Sequence, residues 1–135
     1  MPNDVGKQRI LVVEDEFVIA DTLRLILRSH GYDARAAYSA EAALETLSQW
    51  TPDLAILDVM LPNMNGIDLA MVLKDRIPEC HILLISGQPS VDALLEESKR
   101  KGHEFEIFAK PVQPIEMLET IASLFSSNGC EHCHS

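Results

Sequence analysis

Cysteine is scarce, basic charge is scarce and long apolar runs are missing, and each shortage removes a class of protein. Three cysteines are an odd number, and Cys80 stands far from Cys130 and Cys133, so no disulfide framework is implied, in keeping with a reducing compartment. Eleven lysines and arginines against 21 aspartates and glutamates give a formal charge of −10, which repels nucleic acid and anionic membrane. The one dense basic cluster, Lys99, Arg100 and Lys101, falls near a predicted helix end, where it complements the helix dipole rather than gathering phosphates. No stretch approaches the roughly 18 apolar residues that cross a bilayer, and the polar start from Met1 to Arg9 lacks the apolar core of a secretory signal. The expectation is a cytoplasmic protein that contacts neither nucleic acid nor membrane. Internal repeats and low-complexity stretches are absent, and no glycine-rich phosphate loop follows the first apolar run, which argues against a nucleotide-binding module.

What is present fits one domain. A chain of 135 residues and 15.0 kDa, 47% hydrophobic and 24% charged, can bury roughly two thirds of its unfolded surface in a single core. Four short apolar runs each end on a reactive polar residue: Ile10 to Val13 on Glu14 and Asp15, Leu54 to Leu57 on Asp58, Ile82 to Ile85 on Ser86, and Ile107 to Ala109 on Lys110. Unbroken apolar runs of this length read as strands buried on both faces. Asp33 to Ala37 is a weaker strand candidate, and the Ile107 run, being short, is expected at an edge.

Helical patterns fill the intervals. From Phe17 to His30 the apolar residues Ile19, Leu23, Ile26 and Leu27 trace one face, and Gly31 is a stop signal. Ser39 caps a second helix that carries Ala42, Ala43 and Leu47, with Pro52 beyond its end. A loop from Pro62 to Gly66, whose glycine permits dihedrals closed to other residues, leads into a third helix ending near Arg76. Ser90 caps a fourth with Val91, Leu94 and Leu95 as its stripe, and Pro114 opens a fifth that runs to about Phe125. The fifth spreads Ile115, Met117, Leu118, Ile121, Ala122, Leu124 and Phe125 around most of its circumference, which implies that more than one face is covered. Five strands alternating with five helices argue for a doubly wound α/β domain with a parallel sheet. Ligands of such sheets bind beyond the carboxyl ends of the strands. The expected division is an N-terminal extension over 1–7, the folded domain over 8–126 and a flexible Cys/His-containing tail over 127–135.

If the four runs are neighbouring parallel strands, three carboxylates, a hydroxyl and an amine meet at one edge of the sheet. Like charges 4 Å apart repel by about 4 kcal/mol per pair at an effective dielectric of 20, so such a cluster calls for a cation. Oxygen ligands favour Mg²⁺ or Mn²⁺, which neutralise charge developing on a transferred phosphoryl group. A carboxylate beside such a cation can attack phosphorus and form an acyl phosphate. Asp58 is the candidate nucleophile, and Lys110, a compact point charge with three donors, suits the phosphoryl oxygens.

Glu14 and Asp15 after the first strand, the run from Asp58 through Val59, Met60, Leu61, Pro62, Asn63, Met64 and Asn65 to Gly66, Ser86 before Gly87, and Lys110 before Pro111 together resemble the receiver domain of two-component response regulators, over about Gln8 to Ser126. The resemblance implies a flavodoxin-like fold of strand order 2-1-3-4-5. It also implies a single-domain, stand-alone phosphoacceptor that receives a phosphoryl group on Asp58 from a histidine kinase or histidine phosphotransfer protein. Asp15 and Asp58 would ligate the metal directly, Glu14 through water, and the backbone carbonyl of Met60 would complete the protein ligands. Ser86 would bond a phosphoryl oxygen, and Lys110 and Pro111 would share a cis peptide. Output is expected through contact with an unknown downstream protein or a homodimer, formed by the fourth helix, fifth strand and fifth helix. The chain is expected to catalyse only its own phosphorylation and dephosphorylation, and so not to be an enzyme.

One position departs from the family. The aromatic residue usual three places before the lysine is Ile107 here, with Phe108 one step later. Side chains of a strand alternate faces, so Phe108 does not substitute, and a response relayed without the aromatic flip is expected. Two readings from other classes stand beside the receiver. An aspartyl-phosphate phosphatase would share the strand-end carboxylates, but its second aspartate, two residues after the nucleophile, is replaced by Met60. A metal- or redox-modulated interaction module is suggested by Cys130, Glu131, His132, Cys133 and His134. That run spells a haem-attachment pattern whose chemistry needs export and an enclosing fold. As a zinc site it leaves no loop between ligands, so a tail with incidental metal affinity is the default. Trp50 and Cys80 read as packing residues, and His30 as a capping or surface residue.

Overall fold

The computed structural model describes residues 7–62, 64–87, 96 and 106–134, with side chains described as far as Ser126 in the last helix. Five strands, β1 (Arg9–Val13), β2 (Asp33–Ala37), β3 (Leu54–Asp58), β4 (His81–Ser86) and β5 (Glu106–Ala109), form one sheet in the order β2-β1-β3-β4-β5. All four pairings are parallel, which is the flavodoxin-like order. The helices described are α1 (Phe17–Ser29), α2 (Ala40–Leu47), α3 (Gly66–Arg76) and, at the C-terminal end, α4 (Pro114–His134). The helix expected from Ser90, apart from the helical Glu96, lies outside the described residues, as do the cluster Lys99 to Lys101, Asn63 and 1–6 of the N-terminal extension.

Alternation along the strands sends successive side chains to two cores. Leu11, Val13, Leu57 and Leu84 face α2 and α3, where Ala43, Leu69 and Leu73 meet them. Ile10, Val12, Ile56 and Ile85 face α1 and α4, where Leu23, Leu27, Met117 and Ile121 close the layer. All five residues of β3 are buried, as its unbroken apolar run implies.

Local signals set the helix ends. The Ser39 hydroxyl accepts from Ala42 N–H at 3.0 Å and the Asn65 side chain accepts from Asp68 N–H at 2.8 Å, so both helices have side-chain N-caps. Gly31 ends α1 at φ +92°, a conformation that needs glycine. His30 places Nδ1 2.9 Å from the Ile26 carbonyl oxygen, and so caps the same end. Trp50 is buried in the core beneath the Arg35 guanidinium, 4.7 Å from its ring. Burial pushes the Cys80 thiol up to about 12, which leaves it a small hydrophobe without thiolate chemistry.

Two expectations are revised. Gly66 is not at positive φ; it is needed because a Cβ there would overlap the Asp58 carbonyl oxygen and stand 2.8 Å from its carbon. The last helix runs on to His134 instead of ending near Phe125. No proline follows Pro114 to remove a ladder hydrogen bond, and Gly129 alone weakens a helix by only about 1 kcal/mol relative to alanine. One flank of the broad apolar surface of α4 is covered as expected: Phe125 packs 5.8 Å from the ring of Tyr32 and 5.9 Å from that of His81.

Candidate functional site

The chain leaves β1 toward β2 on one side and returns to β3 on the other, so the carboxyl ends of β1 and β3 flank the point where the winding reverses. Val13 is in register with Leu57, and the next residues are Glu14, Asp15 and Asp58. One carboxylate oxygen from each lies within 4.8 Å of the others. Glu14 and Asp58 are buried at 0% and 2% exposure, whereas Asp15 is exposed.

Lys110 reaches this cluster from the end of β5. Its N–H donates to the Ser86 carbonyl at 2.9 Å, and its peptide to Pro111 is cis as expected. Its stem passes Gly87, where an added Cβ would stand 3.7 Å from Cδ. The ammonium lies 2.8 Å from Glu14 Oε1, 3.1 Å from Asp58 Oδ2 and 3.4 Å from Glu16 Oε1. Asp58 is oriented from its other side by the Met60 N–H, which donates to Oδ1 at 3.0 Å. Ser86 is buried at the end of β4, one residue beyond Ile85, which is in register with Asp58.

Burial raises the Glu14 carboxyl from 4.5 to about 7, with help from the Asp58 charge, even though Lys110 and the Glu16 N–H favour the ionised form. Burial also disfavours the Lys110 ammonium, but its carboxylate partners outweigh that effect and hold it above the ordinary lysine range. The lysine is therefore charged and the cluster carries excess negative charge.

Those residues fit a divalent cation. Glu14 Oε2 accepts from Glu16 N–H at 2.9 Å, while Oε1 is buried and has no aligned hydrogen bond despite its ion-pair contact with Lys110. A buried carboxylate oxygen with spare lone pairs, beside two further carboxylates, is a hard-oxygen donor set suited to Mg²⁺ or Mn²⁺. The structure thus brings together Glu14, Asp15, Asp58 and Lys110 and sets Met60 and Ser86 at the same sheet edge. Glu16, the third acidic residue of the run after β1, was not singled out in the sequence, although that run was its signal.

A profile of the response regulator receiver domain matches residues 10–122. The DNA-binding response regulator MtrA of Mycobacterium tuberculosis is 33% identical over 128 residues, covering 95% of this chain and 55% of MtrA. The regulatory protein VanR of Enterococcus faecium is 32% identical over 113 residues, covering 84% of this chain and 48% of VanR. The chain spans about half the length of the curated relatives it matches. A CheY-like receiver domain protein from Methanospirillum hungatei JF-1 superposes with a TM-score of 0.83 at 28% identity, over 93% of this chain and 99% of that one. With the acidic pocket, the opposed lysine and the sheet order all in place, this chain belongs to the response regulator receiver domain family.

Proposed function

We propose that Asp58 accepts a phosphoryl group from a phosphohistidine of a histidine kinase or phosphotransfer protein, and that the reading is carried by Asp58 Oδ2 lying 3.1 Å from Lys110 Nζ inside the carboxylate cluster. A carboxylate oxygen of Asp58 forms the new O–P bond as the P–N bond breaks, and the imidazole leaves with that electron pair. Lys110 steadies an equatorial oxygen of the transferred group, and Ser86 bonds another. Glu14, Asp15, Asp58 and the Met60 carbonyl would hold Mg²⁺ or Mn²⁺. When bound, the ion offsets the carboxylate repulsion and the charge on the phosphoryl oxygens.

The rim suits a protein donor. Phe17, Val18, Met60 and Ile115 are 63%, 79%, 51% and 74% exposed, giving a partner helix apolar side chains to cover on its way to the pocket. Output is read as a further protein contact in a cytoplasmic setting, since a formal charge of −10 opposes direct contact with nucleic acid. Among the described residues no helix is long and apolar enough to cross a membrane. We read the chemistry as stoichiometric self-labelling rather than turnover, because Met60 stands where a phosphatase of this type places its second aspartate.

Wild-type protein and Asp58→Asn, incubated with acetyl phosphate and Mg²⁺ and weighed intact, provide the test. One phosphoryl per wild-type chain, dependent on Mg²⁺ and absent from the variant, is expected. Labelling that survives Asp58→Asn, or steady release of phosphate without a labelled chain, would overturn the assignment.

A further inference from the structure

We propose that Glu16 is an internal competitor for Lys110: its carboxylate accepts a hydrogen bond from the ammonium that also attracts the phosphoryl oxygens, and so sets how readily the pocket accepts a phosphoryl group. The inference rests on Asp58 being the phosphoacceptor. An ammonium has three N–H donors and no acceptor. Lys110 faces three carboxylates, Glu14 at 2.8 Å, Asp58 at 3.1 Å and Glu16 at 3.4 Å. Asp58 and Glu16 accept its aligned hydrogen bonds, whereas Glu14 Oε1 is an ion-pair contact without one, so a phosphoryl oxygen drawn to this ammonium competes with the Glu16 carboxylate for it.

Two of the three are poorly placed to leave. Glu14 is wholly buried and its second oxygen is fixed by the Glu16 N–H at 2.9 Å. Asp58 is buried, carries the transferred group itself, and has its second oxygen fixed by the Met60 N–H at 3.0 Å. Glu16 differs on each count. Its side chain is 63% exposed and its contact with Lys110 is the longest of the three.

The backbone of Glu16 is nevertheless anchored. Its N–H bonds Glu14, and its carbonyl accepts from Ala20 N–H at 3.0 Å as α1 begins. The side chain can therefore swing out to water by rotamer change alone and return to the same ammonium. A phosphoryl group carries more charge than a carboxylate, so it draws the ammonium away from Glu16 at the cost of that contact. Glu16 acts through Lys110 and is a positioning residue.

Beryllofluoride with Mg²⁺, titrated by amide NMR, and acetyl phosphate labelling, followed by intact mass, test this on wild type, Glu16→Gln and Glu16→Asp. The isosteric Glu16→Gln should lower the beryllofluoride dissociation constant and the half-saturating acetyl phosphate concentration by about two- to fivefold, the range of an exposed ion pair. The labelling rate at saturation should change less. Glu16→Asp keeps the charge but shortens its reach, and should follow Glu16→Gln. The gap between wild type and Glu16→Gln should close as added salt screens the pair, a response that a merely structural role would not produce. Equal constants for wild type and Glu16→Gln at low salt, with both proteins labelled on Asp58, would overturn the inference and leave the phosphoacceptor intact. Glu16→Asp behaving as wild type would replace the contact by a diffuse charge effect and also overturn it. If no protein takes label or beryllofluoride, the phosphoacceptor reading falls and this inference falls with it.

Discussion

Glu14 takes a carboxylate where water cannot solvate it, and its titration is then coupled to folding. Burial raises it from 4.5 to about 7, so between those values the folded chain keeps a proton that the unfolded chain has released. Stability falls with rising pH wherever the folded state binds more protons. In chelator, this group alone should make the protein more stable near pH 5 than near pH 7.5, by an amount on the order of 2 kcal/mol. His81, whose pKa is lowered by burial and by Lys74, works in the opposite sense, so the comparison is with Glu14→Gln. Urea unfolding of the two proteins across this range should show the wild-type curve falling relative to the variant; parallel curves would mean that Glu14 is ionised throughout. Gly66 makes a different residue-scale demand. A Cβ there would meet the backbone of Asp58 and Val59, at 2.8 Å from Asp58 C and 2.9 Å from Val59 Cα, and backbone cannot step aside as a side chain can. Gly66→Ala should cost about 1–3 kcal/mol, as overpacking does, and slow acetyl phosphate labelling by shifting Asp58. A urea midpoint and a labelling rate both matching wild type would show that α3 moves freely.

At the scale of elements, β5 carries the departure from the family. Ile107 is in register with Leu84 and joins the core facing α2 and α3, whereas Phe108 joins the core facing α1 and α4, so no aromatic side chain of β5 takes the usual place on the Ser86 side. Ile107→Tyr should enlarge the amide shifts that beryllofluoride induces along β5 and the start of α4, and should strengthen phosphorylation-dependent partner binding. Unchanged shifts and binding would show that this position does not limit the response. The strands were legible because runs such as Leu54 to Leu57 are short and have no polar alternation, and a strand buried on both faces satisfies them. Asp58, Lys110 and the β1 carboxylates were legible because strand ends in a parallel sheet converge. The end of α4 was not, since Gly129 is a weak breaker when no proline follows. The demand at Gly66 was legible as a glycine but not as a contact, and Glu16 meets a residue 94 positions away, which no local pattern encodes.

For the molecule as a whole, folding is also an act of charge concentration. A chain with a formal charge of −10 gathers Glu14, Asp15 and Asp58 within 4.8 Å, with Glu16 beside them, and sets Lys110 against the group. Hydrophobic packing in the two cores must offset that repulsion, and in the unfolded chain Asp58 is far from the run Glu14 to Glu16, so folding adds its charge to theirs. A divalent cation that binds this pocket therefore binds the folded state, and stabilises it by about 2.7 kcal/mol when its concentration is 100 times the dissociation constant. For a domain of this size that is a rise in Tm on the order of 10 °C. Asp58→Asn removes one ligand and part of the repulsion together, so its metal-free form should melt higher than wild type and gain less from Mg²⁺. Thermal melts with Mg²⁺, and with NaCl at matched ionic strength, distinguish binding from screening. If NaCl raises the wild-type Tm as far as Mg²⁺ does, or if Asp58→Asn gains as much as wild type, the carboxylates are not acting as a cation site and the repulsion is relieved by diffuse counterions alone.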